Sequence, residues 1–168
     1  QEDEKLHRVT LTKGFYLGKY EVTQAQYEAV MKGNPDGINA TPSANIGKNK
    51  PVSEVSWNTV QKFLARLNQI ERDANRLKED WKYGLPTEAQ WEYASRAGTQ
   101  TSYSWGTTIT IKQANWSNNG KGLQNTTVVG QYPANPWGFH DMQGNISEWT
   151  ADWYGPYPVG TVTNPIGP

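Results

Sequence analysis

The densest run of residues able to do chemistry in this sequence of 168 residues is Gly138-Phe139-His140-Asp141-Met142-Gln143-Gly144-Asn145-Ile146-Ser147-Glu148-Trp149-Thr150-Ala151-Asp152-Trp153. Asp141 and Glu148 stand seven positions apart, and Gly144 between them permits a tight turn. A chain folded back at that point can surround one hard cation with side-chain and backbone oxygens. An all-oxygen donor set suits calcium better than a transition metal. Spacing alone is met better by a plainer arrangement, an aromatic turn whose carboxylates cap backbone amides.

Other chemistries find less support. His7 and His140 are far apart and neither lies in a spaced metal-ligand motif, so structural or surface roles are expected for both. There is no Gly-x-Ser-x-Gly elbow, no phosphate-cradling Gly-Lys-Ser/Thr loop and no His-Glu-x-x-His signature. The sequence contains no cysteine, which removes disulfides and thiolate metal sites from these residues. Trp149, Trp153, Tyr154 and Tyr157 could line a ligand surface, although aromatic clusters more often serve packing.

Several elements must position that segment. Arg8 to Tyr20 alternates apolar and polar residues around Lys13-Gly14 and reads as two short strands or one bent strand. Thr23, followed three positions later by Gln26, forms a capping box, with Val22 against Tyr27 as its hydrophobic staple, and predicts a short helix to about Met31. Residues 32 to 52 hold Gly33, Pro35, Gly37, Pro42, Gly47 and Pro51 and read as a long loop. Trp57, Val60, Phe63, Leu64, Leu67 and Ile70 then recur at helical spacing and predict the longest helix, with a charged, solvated continuation from Glu71 to Asp80.

Thr87 with Gln90 repeats the capping box, and Glu88 is placed near the positive helix end. Trp91, Ala94 and Ala97 should face inward, with Gly98 ending the helix in a left-handed conformation. From Thr99 onward Gly, Asn, Pro and aromatic residues dominate, with β-like runs at Thr108 to Ile111 and Thr126 to Val129.

Composition bounds the rest. The length fits a single domain spanning residues 1–168. Sixteen Lys plus Arg balance sixteen Asp plus Glu, so no overall field favours nucleic acid or an acidic membrane surface. The apolar fraction is only 35%, while eight Trp and nine Tyr are available for burial, so an aromatic core is expected. No window approaches the roughly 18 to 20 continuous apolar residues that span a bilayer. The first residue is Gln1 and no signal peptide is visible, which points to a processed, trimmed or recombinant N-terminus. Sequons at Asn39, Asn115, Asn125 and Asn145 matter only in a glycosylating host.

Three segments together resemble the sulfatase-modifying-factor family, whose founding member is formylglycine-generating enzyme. They are Gly14 to Thr23 (GFYLGKYEVT), Tyr83 to Ala94 (YGLPTEAQWEYA), and Gly138 to Trp153, with Pro51-Val52 and Val55-Ser56-Trp57 as a fourth. Their order and spacing cover nearly the whole chain. The resemblance implies an irregular α+β fold of the C-type-lectin-like kind, with little regular secondary structure and with bound calcium. It places one calcium site on the side chains of Asp141 and Glu148 and the carbonyls of Gly144 and Ile146. A second would begin at Asn115 and the Trp116 carbonyl, but Lys121 stands where the family often has an acidic ligand.

The family's oxidase uses a cysteine pair that binds copper and activates oxygen to convert a substrate cysteine into formylglycine. Copper(I) prefers such soft thiolates. This sequence has none, and it stops at Pro168 before the Gly-Gly-Ser and Gly-Phe-Arg motifs with which such domains usually finish, so the domain's C-terminal portion is expected to be missing. The histidine cluster of iron-dependent sulfoxide synthases sharing the fold is also not visible.

Two functions follow as expectations. The first is a calcium-stabilised binding or display module, similar to family members that present variable surface residues, including variable proteins of diversity-generating retroelements. Its partner would be a protein or other surface ligand. The second is a formylglycine-generating oxidase whose cysteines lie beyond Pro168. Calcium and a trimmed N-terminus point to an exported protein.

Overall fold

A computed structural model of the chain describes residues 7–116, 125–157 and 160–167. The expectations concerning Gln1, Lys121 and Pro168 fall outside those residues. The described elements are β1 (Val9–Thr10), α1 (Gln24–Met31), α2 (Trp57–Asp73), α3 (Glu88–Arg96) and β2 (Val162–Thr163). The result is an irregular α+β fold in which most of the chain is loop.

The helices begin where local chemistry demands. Thr23 accepts from the Gln26 amide while the Gln26 side chain accepts from the Thr23 amide, and Thr87 and Gln90 do the same. Ser56 caps α2 through the Thr59 amide. The helix C-terminal to Thr87 ends on two successive left-handed residues, Ala97 (φ 47°) and Gly98 (φ 82°), rather than on Gly98 alone. α2 runs three residues beyond the apolar stripe, to Asp73, before the charged stretch leaves the helix.

The strand expectations are corrected. Only Val9–Thr10 of the Arg8 to Tyr20 stretch is a strand, paired in parallel with Val162–Thr163. Phe15 and Leu17 do alternate in burial with their neighbours, but among the described residues no strand lies alongside them. A pleat with one face covered is not a strand until a second backbone supplies its ladder. Thr108 to Ile111 and Thr126 to Val129 are likewise not strands; asparagine side chains hold the second run, Asn45 donating to the Thr126 carbonyl and Asn145 accepting from the Thr127 amide.

α1 packs on α2 around Tyr27, Met31 and Phe63, with Val30, Ile38, Val52, Val55, Leu64 and Leu67 partly buried against them. The Tyr27 and Phe63 rings are stacked with centroids 5.3 Å apart. This core is therefore part aromatic and part aliphatic, and none of the eight tryptophans is fully buried. Indoles staple loops instead. Trp57 Nε1 donates to the Thr150 carbonyl and Trp149 Nε1 to the Val55 carbonyl, both at 3.0 Å. An indole that must satisfy its N–H gains more at a loop carbonyl than deep in an apolar core.

The Tyr27 hydroxyl is buried with no hydrogen-bond partner among the described residues, and burial holds the phenol above its ordinary pKa. Tyr27→Phe removes that unmet polar group while keeping the ring stack, so urea unfolding should show unchanged stability or a gain of up to about 1 kcal/mol. A loss larger than that would mean the hydroxyl is in fact hydrogen-bonded, for example to a buried water.

Candidate functional site

The 141–148 segment is held from three sides. Gln143 Nε2 donates to Ser95 Oγ of α3 at 2.6 Å. Just beyond the segment, the Ala151 amide donates to the Pro86 carbonyl, and Asp152 Oδ1 accepts from the Glu88 amide at 2.7 Å, capping the N-terminus of α3. On the third side the Asn145 amide donates to the Asn115 carbonyl at 2.7 Å. Asp141 (φ 61°) and Asn145 (φ 69°) both adopt the left-handed conformation that L residues seldom take. Two such residues within five positions turn the chain sharply enough to wrap it around a point.

Gly144 is required by contact rather than by its φ. A Cβ there would lie 2.4 Å from the Asn115 carbonyl oxygen. The close approach brings Asn115 to the cleft that the 141–148 segment encloses, a space of about 530 Å³ lined by Asp141, Gly144, Ile146, Glu148, Asn115 and Trp91 among others. Five of the residues named from sequence thus share one cleft, including Asn115, which the family pattern assigns to a separate site. Trp116, the sixth, does not line it; its indole nitrogen is buried without a partner among the described residues.

Three side chains in or beside this cleft share one state, with one polar atom anchored and the other without a partner among the described residues. Asp141 is 7% exposed; its Oδ2 accepts from the Gly130 amide at 2.6 Å, and its Oδ1 is buried with no partner among the described residues. Asn115, also 7% exposed, donates through Nδ2 to the Asn125 carbonyl and Asn145 Oδ1, and its Oδ1 is idle in the same sense. Glu21, just before α1, accepts from Asn145 Nδ2 at 3.0 Å through Oε1, and its Oε2 is buried with no partner among the described residues. A carbonyl or carboxylate oxygen left this way forgoes the hydrogen bond it had in water, at a cost of about 1–3 kcal/mol or more when charged.

The electrostatics agree. Burial pushes the Glu21 carboxyl up to about 8, with the Asp141 and Glu148 charges adding to the effect and the Asn145 amide opposing it. Glu148 keeps substantial exposure as a residue, yet the protein packed around its carboxyl raises its pKa, and the Asp141 charge raises it further. The Trp91 indole favours charged Glu148 by proximity while making no hydrogen bond of good geometry. The Asp141 charge thus opposes ionisation of both Glu21 and Glu148, with no basic side chain among the causes of either shift. Oxygen donors carrying uncompensated negative charge fit a hard cation. Among the described residues no three His, Cys, Asp or Glu side chains are already grouped around a metal position. Two carboxylates completed by backbone carbonyls need no such group of three.

Because Glu21 is protonated more readily in the folded than in the unfolded chain, its contribution to stability is fully present below pH 4.5 and is lost as the pH rises to about 8. In chelator, the melting temperature should fall by several degrees over that interval, and Glu21→Gln should flatten the fall. A level or rising profile for the unaltered chain would contradict this reading.

Glu21 and Gly130 are the contributors that motif spacing does not reveal; Glu21 lies 124 residues from Asn145, from which it accepts a hydrogen bond. The two histidines take structural positions. His140 Nδ1 contacts the Tyr132 carbonyl at 2.8 Å with its ring against Tyr20, and His7 lies against Tyr157. No helix among the described residues is long and apolar enough to cross a membrane.

Known proteins are similar to this chain over much of its length. The sulfatase-modifying factor enzyme 1-like domain matches residues 1–165. The chain is 31% identical over 188 aligned positions to a protein named chaperone protein LppX from Paenibacillus barcinonensis, an alignment covering 87% of this chain and 64% of that protein. It is 32% identical to the formylglycine-generating enzyme of Mus musculus over 71% of this chain and 32% of the enzyme. The chain thus spans less than two thirds of the length of these relatives. Among solved structures, Treponema denticola variable protein 1 superposes with a TM-score of 0.66 at 25% identity, covering 90% of this chain and 67% of the other.

Proposed function

This chain belongs to the sulfatase-modifying factor enzyme 1-like family, and from that premise we propose that it is a calcium-stabilised binding module built on the formylglycine-generating-enzyme scaffold. The observation that carries the proposal is the surface following the oxygen-lined cleft. Directly after Glu148 come Trp149 (49% exposed), Trp153 (80%) and Tyr154 (96%). Such aromatic area at low conformational cost is what recognition surfaces use, and stapling by Trp57 and Trp149 holds it in place. The superposition on a variable protein supports the same reading.

Calcium would be held by the side chains of Asp141 and Glu148 and the carbonyls of Gly144 and Ile146. The Gly144 carbonyl already accepts from the Ile146 amide, but a carbonyl has a second lone pair to offer. The cation's part is to neutralise the cleft and lock the turn from which the aromatic surface starts.

A ligand bound only by the folded state stabilises it by about 2.7 kcal/mol at a hundredfold excess over Kd. For a chain of this length that corresponds to a melting shift of roughly 5–10 °C. Calcium should produce this shift in the unaltered chain, and the double variant Asp141→Asn, Glu148→Gln should lose most of it. An unchanged shift in the double variant would sink the site assignment.

The oxidase reading draws on the similarity to the mouse enzyme. These 168 residues contain no thiol, so the chemistry would need cysteines supplied elsewhere. Copper-loaded full-length protein incubated with a cysteine-containing sulfatase peptide decides between the two. Formylglycine detected by mass spectrometry would replace the binding reading with the oxidase.

A further inference from the structure

We infer that Glu21 serves the cation site from beside the cleft, its charge adding to those of Asp141 and Glu148 although the three form no ready-made metal position among the described residues. The inference rests on the calcium reading above and extends it to a residue outside the turn that the reading uses. Three observations carry it. Glu21 Oε2 is buried and has no hydrogen-bond partner among the described residues, although the other oxygen is firmly anchored by Asn145 at 3.0 Å. The same half-anchored, half-idle state recurs in Asp141 and Asn115, both nine-tenths buried. Asn145 links the three, since its Oδ1 receives Asn115 Nδ2 at 3.2 Å and it belongs to the turn that Asp141 begins.

A carboxylate that served only to hold Asn145 would need one oxygen, and burying the second would oppose folding. The two half-satisfied acids make sense together when a cation supplies the missing partner. Glu21 is also held rigidly: the next residue, Val22, accepts from the Val52 amide at 2.9 Å, and Thr23 begins α1. Its charge is delivered to the site by the start of a helix rather than by a mobile loop.

The test is calcium titration of the full chain by calorimetry, repeated with terbium, whose luminescence the cleft indole of Trp91 can sensitise. Glu21→Gln keeps the acceptor for Asn145 and the side-chain length but removes the charge. Glu21→Asp keeps the charge but shortens the reach. Glu21→Gln should raise the calcium Kd at least tenfold and terbium's by more, with circular dichroism unchanged in chelator, and Glu21→Asp should bind more tightly than Glu21→Gln. Wild-type affinity in Glu21→Gln overturns the inference while leaving calcium at Asp141 and Glu148 intact. The order reversed, with Gln binding better than Asp, overturns it too, because that order marks a hydrogen-bonding role alone. No calcium or terbium binding by the unaltered chain overturns the calcium reading itself.

Discussion

Gly144→Ala should unfold at markedly lower denaturant than the unaltered chain, losing about 3 kcal/mol by the measure of overpacked interiors, and should give no melting shift with calcium. The added Cβ would sit 2.4 Å from the Asn115 carbonyl oxygen and 3.1 Å from its carbon. Both are backbone atoms, so no side-chain rotation relieves the clash. The segments must part, and the 2.7 Å bond from the Asn145 amide to that carbonyl goes with them. Asn145 then no longer places its amide against Glu21 or its oxygen against Asn115. Gly84→Ala provides the control, because nothing lies within 4 Å of the point its methyl group would occupy and its φ is ordinary; it should stay within about 0.5 kcal/mol of the parent or gain slightly. If Gly144→Ala melts like Gly84→Ala and still responds to calcium, the close packing of the 114–115 and 141–148 segments is not what shapes the site.

The second large effect belongs to the helix pair. Phe63→Ala should cost about 3–5 kcal/mol, the range for deleting a buried phenyl ring, which is a large share of the roughly 5–15 kcal/mol that holds a typical domain folded. Phe63 is 6% exposed, stacks on Tyr27, and lies at the centre of the contact between α1 and α2. Denaturant unfolding followed by circular dichroism measures the loss. Ile70→Ala, at a position of the same sequence stripe that is 37% exposed, should cost well under half as much, because the transferred area is smaller and no closed cavity forms. Equal losses at the two positions would mean that the stripe is buried evenly and that the core is not centred on Phe63.

These two effects also separate what is local from what is not. Thr23 with Gln26 and Thr87 with Gln90 announce their helices because a capping box closes over three residues and needs nothing from the rest of the chain. The turn from Asp141 to Glu148 is legible for the same reason: its carboxylates and its glycine are near neighbours in sequence. The family resemblance rests on such local segments, and the fold it implies is the irregular α+β fold observed.

Strands, core composition and the place of Glu21 were decided elsewhere. Alternation at Phe15 and Leu17 predicts which side chains turn inward, but whether a ladder forms depends on a partner backbone, and only Val9–Thr10 finds one, in Val162–Thr163. Eight tryptophans suggest an aromatic interior, yet the N–H groups of Trp57 and Trp149 bind carbonyls of distant loops, so these rings stay part-exposed and act as staples. Glu21 reads as one more residue in the run before a helix; only folding brings it to Asn145 across 124 residues and buries an oxygen that no described neighbour satisfies. By itself the sequence determined where helices start and which turn carries the carboxylates, since those choices rest on hydrogen bonds between near neighbours. That Glu21 comes to lie against this turn was left to the tertiary structure, because burial and hydrogen bonding act through space between groups that the chain keeps far apart.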